Sequence, residues 1–328
     1  MKGERPVNEV IRQNSEILFL YDAKMCNPNG DPDDENRPRM DTDRERCLVS
    51  DVRLKRYIRD YLEEMNHTIY VTKSEGLTEA AGRLKQVLGH EPTGADLPVL
   101  LTKLVDVRLF GATMPIKGDR RGAGEAVNLT GPVQFTWGYS LNRVQLVDSV
   151  TISSQFSTRE GARQGTFGKD YRLYYALIGF HGVISARRAA AMLARAGGNG
   201  NGATGEADVA LLDEAMIKAI PLLATRSKIG QYPRLYARFV FTDAETFMGD
   251  PREDLQLNPA NGLRAVQDFT LELKGLAGRL DRVRERLDRV YIWQDADLRT
   301  VVDGQEVSMA GWLGDILGPD RVKTLGRT

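Results

Sequence analysis

Apolar positions along this chain recur with two different periods, and the contrast separates strands from helices. Runs of strand length stand at Ile17-Leu18-Phe19-Leu20-Tyr21, Val133–Trp137, Leu141–Val147, Tyr171–Ile184, Leu235–Phe241, Phe269–Leu273 and Val290–Trp293. Turn residues bound most of them, which predicts strands. Elsewhere the spacing is helical. Leu54, Ile58, Tyr61 and Leu62 share one stripe, and Arg44–Arg59 reads as a basic amphipathic helix with Ser50 or Asp51 as N-cap. Lys55, Arg56 and Arg59 flank that stripe. Leu77–Leu88, Ala186–Arg195 and Val209–Leu223 predict further helices, the last with Leu211, Leu212, Ala215 and Ile220 inward. Leu276, Leu280, Val283, Leu287 and Val290 mark one more, whose other face mixes arginines with acids as a solvated surface does.

The polar segments carry as much information as the apolar ones. Asn27-Pro28-Asn29-Gly30-Asp31-Pro32 and the acids that follow form a turn-rich loop between the first strand and the first helix. A helix start after such a loop, with cations behind it, can hold phosphates. A core strand followed by a solvated helix accounts for the same pattern. Residues 113–131 are glycine-rich and basic around Lys117–Gly124 but lack the Gly-Lys-Ser/Thr ending of a nucleotide-binding P-loop. Residues 149–169 are polar and lie between two strands, which predicts a protruding β-hairpin. Phe156 and Phe167 inside it either fold back on the core or stack against bases. Residues 197–207 read as a flexible Gly/Asn loop.

Composition narrows the class. The 328 residues are 41% hydrophobic and 27% charged with a formal net charge of zero, so a nucleic-acid site must be a local basic surface offset by acid elsewhere. Cys26 and Cys47 fit free thiols in a reducing compartment. No signal-peptide pattern or run of about 18 apolar residues is present, which predicts a cytoplasmic protein with no membrane partner. His67, His90 and His181 show no metal-ligand spacing, and Asp31–Glu35 lacks the EF-hand pattern. No cofactor is expected, and nothing in the sequence demands an enzyme.

Leu20-Tyr21-Asp22-Ala23-Lys24, the Asn27–Pro32 loop, Arg37-Pro38-Arg39-Met40-Asp41 and Ser50–Asp60 together resemble the backbone subunit of type I CRISPR Cascade complexes, nearest the type I-B branch of the Cas-seven family. Leu109-Phe110-Gly111, Gly131-Pro132-Val133-Gln134, Ser154-Gln155-Phe156, Gly165-Thr166-Phe167-Gly168, Phe180-His181-Gly182 and Arg226-Ser227-Lys228 extend the resemblance over most of residues 15–293. It implies an α+β fold: one RRM-like (ferredoxin-like) palm, a finger insertion at residues 66–130, and a β-hairpin thumb at residues 149–169. It implies that copies line up along one CRISPR guide RNA, with other Cascade subunits, and hold it for pairing with a target DNA strand as an R-loop in antiviral defence. By the family plan, Lys24, Asn27, Arg46, Ser50, Lys55, Arg56, Arg59, Arg226 and Lys228 grip the guide backbone. Gln155, Phe156, Arg163, Thr166 and Phe167 serve the thumb, where the guide kinks. A sequence-blind holder should contact phosphate and sugar and leave base edges free. Two alternatives remain: a branch that cuts target RNA, for which Asp22, Asp31 or Asp33 are the candidate acids, and a stand-alone RRM-like RNA-binding protein.

Overall fold

The computed structural model describes residues 9–73, 79–116, 126–148, 151–153, 167–198 and 202–326. At its centre lies a mixed sheet of nine strands: β1 (Ser15–Cys26), β2 (Met40–Asp41), β3 (Arg46–Val49), β4 (Val133–Phe135), β5 (Gly138–Ser140), β6 (Leu173–Ile184), β7 (Gln231–Phe241), β8 (Leu287–Gln294) and β9 (Val322–Thr324). Their spatial order is β9-β8-β7-β1-β6-β5-β3-β2, with β4 also on β6. All neighbours are antiparallel except β8 and β9.

β1 is the middle of this sheet because it has both faces to bury. Ile17, Phe19, Tyr21 and Ala23 enter one core, and Leu18 and Leu20 enter the other, as the two-residue repeat of a strand requires. On the first face lie helices α1 (Asp51–Glu64) and α6 (Glu206–Leu222). On the second lie Thr270–Glu272, α7 (Lys274–Val283) and α8 (Met309–Leu317). Between α1 and β4 the chain builds a smaller core of its own from Tyr70, Leu84, Leu100, Leu101, Leu104 and Met114. That core joins α2 (Ala80–Leu88), α3 (Leu97–Lys103), α4 (Val105–Phe110) and the hairpin Gly111–Pro115 with Ala126–Thr130, and α5 (Ala186–Arg195) adds Met192.

Several expected elements change here. The first helix begins at Asp51, because Arg46–Val49 pairs as β3 with β5. Leu141–Val147 is irregular: Asn142 donates to the Tyr175 carbonyl and accepts from the Leu177 amide, replacing ladder bonds with side-chain bonds. The helix starting near Leu276 stops at Val283, and Leu287 and Val290 instead face Phe241 and Phe239 across β8 and β7. The tail after Gln294 is ordered around Met309, Leu313 and the buried Trp312. Thr151–Ser153 pairs with Phe167–Lys169 at the base of the expected hairpin; residues 154–166 lie outside the described residues. Within 197–207, Ala203 and Thr204 are fully buried and Glu206 opens α6, so that end is packed. No helix among the described residues is long and apolar enough to cross a membrane.

Candidate nucleic-acid interface

The loop after β1 is tied to the start of α1 by a single asparagine. Asn29 Oδ1 accepts from the Ser50 amide at 2.8 Å and from the Ser50 hydroxyl at 3.0 Å. Ser50 in turn caps α1 by accepting from the Arg53 amide, satisfying one of the otherwise unpaired first-turn donors. Gly30 passes so close to the Asn36 carbonyl that a Cβ would force the loop to shift. A second loop closes the other side. The Asn27 amide donates to the Ser227 carbonyl at 2.9 Å, and Lys228 Nζ donates to the Asn27 carbonyl at 2.5 Å.

These loops, with Arg53 and Lys169–Tyr171, line a cleft of about 430 Å³. Its lining carries both signs of charge. Burial and the nearby Arg53 guanidinium push the Lys228 amine down to about 8. Arg53 itself lies 4.1 Å over the Tyr57 ring, and its Nε has no partner among the described residues. Glu35 accepts from Lys169 at 2.7 Å and from the Tyr171 hydroxyl at 2.5 Å, bonds that hold its carboxyl below the usual range. Arg37 covers the Tyr171 ring at 4.8 Å. Such a cleft can take a sugar and a phosphate; the aromatic ring among its described lining residues is that of Tyr171, which Arg37 covers.

The structure therefore gathers some of the residues singled out in the sequence and disperses others. Asn27 and Lys228 line the cleft, and Ser50 supports it. Arg226 is exposed beside it, 3.5 Å from Asp170, and Lys24 is exposed near the end of β1. Lys55, Arg56 and Arg59, the α1 cations expected to face the guide, have internal partners. Lys55 reaches Asp51 and Gln134 at 3.1 and 3.0 Å, Arg56 reaches Asp60 at 2.5 Å and the Val71 carbonyl at 2.6 Å, and Arg59 reaches Asp106 at 3.0 Å. The free basic helix face expected from the spacing is replaced by these bonds. Arg46 sits apart, its guanidinium 5.3 Å over Tyr139, in a second cleft with Arg44 and Arg252. Gln155, Phe156, Arg163 and Thr166 lie outside the described residues. Phe167 begins the strand Phe167–Lys169.

Arg53, Asn29, Asn36, Lys169 and Tyr171 were not singled out as site residues. The signal for Arg53 was available: three residues past the capping serine, it stands on the helix turn nearest the loop. Lys169 and Tyr171 are brought in only by the pairing of β6 with β1. Of the candidate acids, Asp22 is 2% exposed, paired with Arg234 at 2.9 Å and bonded by the Tyr175 hydroxyl, and burial raises its carboxyl. Asp31 pairs with Arg39. Among the described residues no group of three or more His, Cys, Asp or Glu is placed to hold a metal ion. His181 is a buried core histidine bonded to Glu16 at 2.9 Å. Cys26 and Cys47 are buried free thiols, Cys26 pushed up to about 12 by burial.

Comparison with known proteins gives similar folds among solved structures and, from sequence, a family. Among solved structures, one described as "CRISPR RNA-guided surveillance complex, pre-nicking" aligns with a TM-score of 0.50 at 15% identity, over 96% of this chain and 96% of that one. Another, described as "CRISPR RNA-guided surveillance complex", gives 0.47 at 16% identity over 89% and 95%. A Haloferax volcanii protein, "CRISPR-associated protein Cas7", is 35% identical over 318 residues, 89% of this chain and 90% of its own length. A sequence profile of the family described as "CRISPR-associated protein Cas7" matches residues 13–274, and on these two matches the chain belongs to that family.

Proposed function

We propose that this chain is the guide-RNA-binding backbone subunit of a type I-B Cascade surveillance complex. Copies stack along one CRISPR guide RNA, meet the other Cascade subunits, and hold the guide open for pairing with target DNA in antiviral defence. The chain itself carries no catalysis in this reading; the candidate acid Asp22 is buried against Arg234. The palm is RRM-like: β1-α1-β5-β6-α6-β7, with β7-β1-β6-β5 adjacent in space and both helices on one face, has the connectivity and strand order of that fold. Residues 66–130, with their separate core, are assigned as the fingers. Residues 149–169, with the paired base Thr151–Ser153 and Phe167–Lys169, are assigned as the thumb.

The observation that carries the reading is the cleft between the Asn27–Asn36 loop and Lys228 in a chain of this family. Asn27, Ser50 and Lys228, with Arg226 beside the cleft and Lys24 from the exposed end of β1, form the guide-backbone contact, and Arg53 joins them. Such a site grips phosphate and sugar without reading sequence. The test is co-purification from cells carrying a CRISPR array. Bound RNA of uniform length with repeat-derived ends is expected. RNA-free protein that stays monomeric when offered a guide would overturn the reading.

A further inference from the structure

Family membership does not say which chemical feature of a nucleotide the cleft reads, and Asn27 bears on that. The residue is 6% exposed, and all but one of its polar groups are engaged. Its amide donates to Ser227, its carbonyl accepts from Lys228, and its Nδ2 donates to the Asn36 carbonyl at 2.6 Å. That last bond fixes which side of the carboxamide is the oxygen. Oδ1 is then left without a partner among the described residues. A buried acceptor with no donor is costly, and folded proteins retain few of them. Asn27 lines the cleft with Lys228 and Arg53, and its buried Oδ1 lies behind that lining, as does the similarly unpartnered Nε of Arg53. Lys228 spends one of its three protons on the Asn27 carbonyl, so two remain.

A fixed neutral acceptor beside two cations complements a hydroxyl donor next to a phosphate. Ribose supplies that donor at its 2′ position, and deoxyribose does not. The Glu35 carboxylate, which also lines the cleft and is held by Lys169 and Tyr171, repels a phosphate and leaves Lys228 and Arg53 to attract it. We propose that this cleft distinguishes RNA from DNA, Asn27 Oδ1 accepting from a ribose 2′-hydroxyl while Lys228 and Arg53 hold the adjacent phosphate. A small outward shift of the Asn27–Asn36 loop admits the sugar to the oxygen. The inference rests on the reading of the chain as an RNA-binding subunit and adds the feature by which RNA is chosen.

The experiment uses the full chain stripped of nucleic acid and one single-stranded sequence made with four sugars: ribose, 2′-deoxy, 2′-fluoro and 2′-O-methyl. Fluorescence anisotropy at fixed salt gives the four affinities. Ribose should bind tighter than each of the others by about five-fold or more, the scale of one hydrogen bond. The 2′-fluoro strand is decisive, since it keeps the ribose-like pucker and cannot donate. Equal binding of fluoro and ribose strands overturns the inference and leaves the RNA-binding reading intact. Failure to bind any of the four overturns both. Asn27→Ala should lower RNA affinity to that of the fluoro strand; if that variant does not fold, the sugar series on the unmodified protein still decides.

Discussion

Lys228 Nζ lies 2.5 Å from the backbone carbonyl of Asn27, joining two loops separated by 201 residues of sequence. The amine is largely enclosed there, and burial, then Arg53, lower it to about 8 from its ordinary 10.5. The neighbouring Cys26 and Cys47 thiols are themselves raised by burial, so neither supplies a counter-charge. The sign follows from proton counting. Between about pH 8 and the unfolded value the unfolded chain binds more protons, so this group makes folding more favourable as pH rises through that window. Phosphate binding runs the other way, because it needs the ammonium form. RNA affinity should therefore be full below pH 8 and fall as pH passes through it, while thermal stability does not fall with it. Lys228→Met should weaken binding and flatten the profile. Anisotropy titrations across this range check both, and a flat profile in the unmodified protein would contradict the placement of Lys228 at the phosphate.

Glu35 occupies Lys169 and Tyr171 within the same cleft. Replacing its carboxylate by an amide should release Lys169 to the nucleic acid. Glu35→Gln is expected to tighten RNA binding at low salt and to steepen the plot of log affinity against log salt. One added phosphate contact on a single strand corresponds to a change of about 0.7 in that slope. Both side chains are half exposed, so the thermal midpoint should stay where it is. An unchanged slope would mean that Lys169 does not reach the strand.

How far the sequence revealed this arrangement differs between backbone and side chains. The strand at Ile17–Tyr21, the cap at Ser50, the helix Ala186–Arg195 and the body of the helix read from Val209 follow from local pattern, because short-range spacing and capping chemistry determine them; that last helix starts three residues earlier, at Glu206. The period of Leu287 and Val290 misled, because strand pairing with Phe241 and Phe239 took those residues from the helix. The cleft was half legible. The Asn27–Pro32 loop and Lys228 stood out in a familiar motif, but their meeting is a contact over 201 residues. The cations of α1 were legible as charges, not as partners. Nothing local announces that Arg59 meets Asp106, 47 positions away.

That pair has its own consequence. Asp106 is fully buried, accepting from the Tyr70 and Val71 amides at 2.7 and 3.2 Å as well as from Arg59 Nε at 3.0 Å. Arg59→Ala leaves a buried carboxylate without its counter-ion, which destabilises by about 3 kcal/mol, the lower end for broken buried pairs because two amides still bind it. Urea unfolding should show this loss, and Asp106→Asn added to Arg59→Ala should recover part of it. The salt slope of RNA binding should not move. A variant of full stability with a reduced slope would instead make Arg59 a phosphate contact.

Gly111 and Gly131 test whether the insertion and the palm are joined as rigidly as their backbones suggest. Gly111 has φ +78°, in the left-handed region, and any Cβ on it would overlap the Leu129 carbonyl and the Gly131 amide. A Cβ on Gly131 would overlap the Gly111 amide and the Leu109 carbonyl. The two glycines thus mark one backbone crossing, where α4 turns into the first strand of the insertion's hairpin and its second strand returns toward β4. Rigid backbone on both sides leaves no flexible side chain to yield, so Gly131→Ala should cost at least the 1–3 kcal/mol typical of overpacking. Gly111→Ala adds unfavourable φ to the same collision and should cost more. Because the crossing lies between the smaller core and the main sheet, hydrogen exchange should rise first in α3 and α4, with β1 and β6 protected. Uniform loss of protection would show that the two cores unfold as one unit and that the crossing does not mark a boundary between them.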